Sequence, residues 1–139
     1  MPALFLLSSV SYAIVAIVLL GFGLVYLARN RFLPYHGQAI GLSWSQLDPN
    51  LQVLILALMR VAGTGFVVAG LAMLVLLLIP WRAGETWSMY AIPAISFCAC
   101  LGSVYATFLV KTKTPGTPPL RLSILGLVVT IMGLIFSIM

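Results

Sequence analysis

The stretch ALFLLSSVSYAIVAIVLLGFGLVYLA, residues 3–28, decides the fold: it contains no Asp, Glu, Lys, Arg or His and is long enough to cross a membrane as one helix. A hydrocarbon core of ~30 Å needs about 20 helical residues. Nothing basic precedes Arg29 and the apolar run exceeds that of a secretory leader, so the segment is expected to remain as an anchor. Arg29 and Arg31 then end the span.

The rest of the chain repeats this pattern. Of its 139 residues 63% are hydrophobic and only 6% charged, against about half and a quarter in ordinary globular domains. Further spans are predicted over about 49–79, 87–110 and 119–139, giving one transmembrane domain over residues 1–139. Asp48-Pro49 suits a helix start, because Asp caps free N–H groups and Pro fits the first turn. The second span would reach about 46 Å at 1.5 Å per residue. A tilt, or a bend near Gly63-Thr64-Gly65, is expected to absorb the excess. Between spans, Phe32 to Asn50 reads as an interfacial loop with room for a short surface helix, Pro80 to Glu85 as a turn with Trp81 at the interface, and Thr114 to Pro119 as a stiff connection. Pro93 is expected in the first turn of the third helix or at a kink. The fourth helix is expected to end the chain at the bilayer, leaving no soluble tail for an enzyme domain.

The fold class is therefore all-α integral membrane, an antiparallel bundle of four transmembrane helices with short connections. Arg29, Arg31, Arg60, Lys111, Lys113 and Arg121 fall at one end and only Arg82 at the other, which predicts that the first end is cytoplasmic and that both termini are non-cytoplasmic. Membrane helices associate along small residues rather than by escaping water. Ser123, Gly126, Thr130, Gly133 and Ser137 share one face of the fourth helix, and Ala62, Gly65, Ala69 and Ala72 recur at the same rhythm in the second. Both are expected as packing faces. Ser96, Cys100, Ser103 and Thr107 form a mildly polar face of the third helix, either a further seam or the wall of a narrow cavity.

Few residues offer chemistry. The net charge of +5 is too sparse for a phosphate-tracking groove, so nucleic acid is not expected as a partner. Cys98 and Cys100 stand about 200° apart on a helix and can neither bridge nor share a metal. Gly-x-Ser-x-Gly, P-loop and His-Glu-x-x-His motifs are missing, and Asp48 and Glu85 lie at opposite ends, so no catalytic residues, metal or cofactor are expected. An intramembrane proton-carrying carboxylate is missing as well, which disfavours a proton-driven exporter. Arg60 is the most informative charge: it either snorkels to the cytoplasmic edge or is satisfied by helix carbonyls, by a lipid phosphate or by a bound anionic group. Together with His36, Tyr35 and Asp48 it makes the ligand-binding candidate set. His36 is also read as an interfacial side chain, and Asp48 as a helix cap.

Phe32-Leu33-Pro34-Tyr35-His36, Ala39-Ile40-Gly41, Trp44, Leu47 and the run Leu51 to Arg60 resemble a group of small bacterial inner-membrane proteins with no assigned activity. The architecture and an arginine in the second helix are also similar to DoxX-like four-helix proteins. The resemblance implies four helices and a multi-pass protein of the bacterial inner membrane. The functional expectation is a noncatalytic protein that associates with itself or with a larger membrane protein. The alternative is a binder or carrier of an anionic or amphipathic small molecule, membrane lipid included, at the cytoplasmic side.

Overall fold

The computed structural model describes residues 2–139, and every regular element among them is helical. The long helices are α1 (Pro2–Ala28), α3 (Pro49–Leu76), α4 (Ser88–Lys113) and α5 (Leu120–Ile138). A short helix α2 (Pro34–Ile40) and a 3-10 turn (Trp44–Gln46) lie between α1 and α3. All four long helices are long and apolar enough to cross a membrane. Their outward sides carry large side chains that water would not tolerate, such as Leu6 at 62%, Val61 at 72% and Leu78 at 62% exposed. We therefore read the chain as a multi-pass membrane protein.

Local chemistry sets the helix ends. Asp48 accepts a hydrogen bond from the backbone N–H of Asn50 at 2.8 Å, and Pro49 follows where no N–H is needed. Gly63-Thr64-Gly65 leaves α3 unbroken; the irregularity lies further on, where Leu77–Trp81 continues it as a π turn holding Pro80. Trp81 is buried there, not spread at an interface: its Nε1–H donates to Ser9 Oγ at 2.8 Å and its ring stacks on Phe5. Helix α4 runs through Pro93 and past Val110 to Lys113.

Packing follows close backbone approaches. Gly23 lies against Gly63, Gly70 against Ala16 and Leu20, and Trp81 against Ser9, so the partner number falls along α3 as it rises along α1. Gly133 of α5 sits on the Tyr12 ring, and its carbonyl accepts from Ser8 Oγ at 2.9 Å. Thr130 hydrogen-bonds Ser96 of α4 with both side chains fully buried. Thr130 and Gly133 of α5 are thus buried inside the molecule, with Gly126 beside Cys100.

The expected face of α3 requires correction. Its inward row is Met59, Gly63, Gly70, Met73 and Leu77, whereas Ala62 and Gly65 are exposed and Ala69 and Ala72 half-buried. Both rows have the same heptad-like rhythm, one position apart. The glycine row is inside because only hydrogen atoms fit where α1 and α3 touch.

Two apolar clusters result. The larger joins Tyr12, Val15, Leu19, Met73, Trp81 and Ile92. The smaller, Phe32, Leu47 and Met59 with Tyr26 and Trp44 packed on it, ties the loop between α1 and α3 to both helices.

Candidate functional site: a cleft capped by Tyr35 and His36

Helix α5 touches α1 closely at Gly133, but towards the other end of α1 a cavity of about 320 Å³ lies between α1, α4 and α5. The volume falls at the lower end of the ~300–1,000 Å³ usual for small-molecule pockets. Val15, Leu19 and Phe22 of α1 form one wall; Cys100, Ser103 and Thr107 of α4 form another; Ser123, Gly126 and Val129 of α5 close the floor. On α1 the lining extends from Ile14 to Tyr26, about 18 Å at 1.5 Å per residue. Val18, Leu122 and Leu125 line it yet remain exposed, so the cavity opens on the outer, apolar surface of the molecule.

Helix α2 forms the cap. The sequence brings it there because Pro34 starts a new helix after the span ends, and Gly41, in the left-handed conformation, ends it after two turns. Loop 114–119 holds it down. Thr117 donates from N–H and Oγ1 to Gln38 Oε1, at 3.2 and 2.7 Å, and Gly116 lies so close to the Tyr35 carbonyl that a Cβ would stand 2.9 Å from it.

Tyr35 and His36 therefore face the cavity from its end. The Tyr35 and Tyr26 hydroxyls hydrogen-bond each other at 2.8 Å. The His36 ring lies 4.1 Å from that of Tyr35 and meets Tyr26 and Phe32 edge-on, and among the described residues none hydrogen-bonds its ring nitrogens. Burial pushes the Tyr35 hydroxyl well above its usual range, aided by the bond to Tyr26. Burial also holds His36 below the ordinary imidazole value. Both are uncharged at neutral pH.

On the α4 wall, Ser103 and Thr107 donate to the carbonyls four residues earlier, so their protons are committed and their oxygens can act towards a ligand only as acceptors. The mildly polar face of α4 serves both expected purposes: Ser96 and Cys100 pack on Thr130, and Cys100, Ser103 and Thr107 line the cavity.

The four candidate residues are not brought together. Tyr35 and His36 share the cavity; Arg60 does not line it and directs Nη2 to Asn30 Oδ1 at 3.4 Å; Asp48 is spent capping α3. Sequence reasoning missed Tyr26, Phe22 and Gln38. Tyr26 carried a signal, a hydroxyl near the end of an apolar span, whereas Gln38 carried none. Among the described residues no three of His, Cys, Asp and Glu gather in a metal-binding group, and both cysteines are free. The cleft can hold an apolar chain and exchange hydrogen bonds with a polar end; its lining offers no carboxylate or lysine for acid–base work.

Comparison with family models, with curated proteins and with solved structures gives no match.

Proposed function

We propose that this chain is a noncatalytic, antiparallel four-helix protein of the bacterial inner membrane that binds an amphipathic small molecule or lipid in the cleft beneath α2. The observation that carries the proposal is the cavity itself: apolar walls, a side open towards the acyl chains, and polar groups gathered at one end. The basic residues support its orientation. Asn30 contacts Arg60 and Gln38 contacts Thr117, so the cap lies at the end rich in Arg and Lys, which the positive-inside rule assigns to the cytoplasm, with both termini outside.

The test is native mass spectrometry of protein extracted in mild detergent. A co-purifying small molecule is expected on the wild type and lost when Ser103→Phe fills the cleft. Equal retention by the variant would overturn the assignment to this cavity.

A second reading is association with another copy or with a larger membrane protein. It rests on Gly65, where a Cβ would meet nothing within 4 Å, beside exposed Ala62 and half-buried Ala69 and Ala72. Ala62 and Gly65 of this row are exposed, while Ala69 packs on the larger apolar cluster, so the free part of the row is its Ala62–Gly65 end. A defined oligomer that dissociates on Gly65→Leu is the expected result of this reading, and a monomer in lipid discs refutes self-association.

A further inference from the structure

Resting on the cavity-binding reading, the ligand class can be narrowed by charge. Among the residues that line the cleft none is Asp, Glu, Lys or Arg. The cations of this end stand elsewhere: Arg29, Arg31, Lys111, Lys113 and Arg121 are exposed, and Arg60 is turned to Asn30. An ionised headgroup drawn into the cleft would lose water and meet no counter-charge.

What the cap offers instead is neutral hydrogen bonding. Two tyrosine hydroxyls share one hydrogen bond, which leaves one O–H and lone pairs available. The His36 ring adds one N–H and one acceptor nitrogen. These suit a single hydroxyl or carbonyl. The length of about 18 Å along α1 is more than half of a ~30 Å hydrocarbon core, and the modest volume suits one chain better than two.

We propose that the cleft selects an uncharged, single-chain amphiphile, with its hydrocarbon chain between α1 and α5 and a hydroxyl or carbonyl at Tyr26, Tyr35 and His36. Entry is sideways from the bilayer, past Val18, Leu122 and Leu125. A phospholipid that merely inserts one tail, leaving its headgroup among the arginines, is the competing occupant.

The test uses three photoreactive probes with one diazirine-bearing alkyl chain and different ends: a hydroxyl, a sulfonate and a trimethylammonium. Each is added to the full chain in phosphatidylcholine discs, irradiated, and its adducts mapped by mass spectrometry. The alcohol is expected to label Phe22, Ser103 and Val129 at least tenfold more than either charged probe, and to lose most of that labelling in Tyr35→Phe combined with His36→Ala. Equal labelling by the sulfonate or ammonium probe would overturn selection for neutral ligands while leaving the cleft as a binding site. Labelling of these residues no stronger than of outward Val68 and Leu71, with every probe, would overturn both the selection and the binding function.

Discussion

Gly23 and Gly63 meet backbone to backbone: a Cβ on Gly23 would stand 2.7 Å from the Gly63 carbonyl oxygen, and one on Gly63 would stand 2.9 Å from the Gly23 carbonyl oxygen. Neither obstacle is a flexible side chain that can swing away. Gly63→Ala or Gly23→Ala must therefore push α1 and α3 apart, at an overpacking cost of about 1–3 kcal/mol. Gly65→Ala, in open space on the same helix, should change stability by less than about 0.5 kcal/mol. Unfolding in mixed micelles by titration with a denaturing detergent checks both, and equal effects would refute the crossing.

These glycines mark how far a single sequence reaches. The four spans were legible because lack of charge over some 20 residues has one physical explanation, solvation by acyl chains. The Asp48 cap was legible because it depends only on its neighbours. The inward row of α3 was not. Rows through Ala62 and through Gly63 share one period, and the difference between them is fixed by where α1 places Gly23, a relation between residues 40 apart in the chain. Likewise Arg60 stands out in the sequence as a charge near the membrane, yet its partner Asn30 is uncharged and forms no pattern there. The cavity could be anticipated only as one of two uses for the Ser103 and Thr107 face, since an empty space leaves no mark on composition.

At the opposite end of the bundle, Gly133 supports Tyr12, and Thr130 supports Ser96. Thr130→Val removes a buried interhelical hydrogen bond and should cost about 0.5–2 kcal/mol. Gly133→Leu drives a side chain into the Tyr12 ring, where a Cβ alone would stand 2.9 Å from it, and should cost more. Because this face is internal, both variants should lower the detergent concentration needed for unfolding without altering the mass of the folded particle in lipid discs. Loss of an oligomer before any loss of stability would show instead that α5 faces another molecule.

Arg60 serves as a control for the binding proposal. Its contact with Asn30 is long and exposed, and it does not line the cleft. Arg60→Ala should leave the retained small molecule in place and shift stability by less than about 0.5 kcal/mol. A retained ligand that disappears with Arg60 would mean that an anionic group is recognised at the surface, contrary to a neutral ligand in the cleft.

The cap should respond to acid through His36. Burial among Tyr26, Phe32 and Tyr35 lowers its pKa below 6.5, so the docked state of α2 binds a proton less readily than the undocked state. Stability rises with pH wherever the less ordered state holds more protons. Well above 6.5 both states are neutral and the imidazole contributes no pH dependence; as pH falls through 6.5 towards the lowered value, undocking takes up a proton and docking weakens. Amide hydrogen exchange over residues 34–40, read between pH 7.5 and 5.0 and corrected for intrinsic rates, should therefore show protection falling on the acid side. His36→Gln keeps a polar side chain that does not titrate, and should flatten that profile. If wild type and variant lose protection in parallel, the imidazole is not what holds the cap, and the acid response belongs to another group.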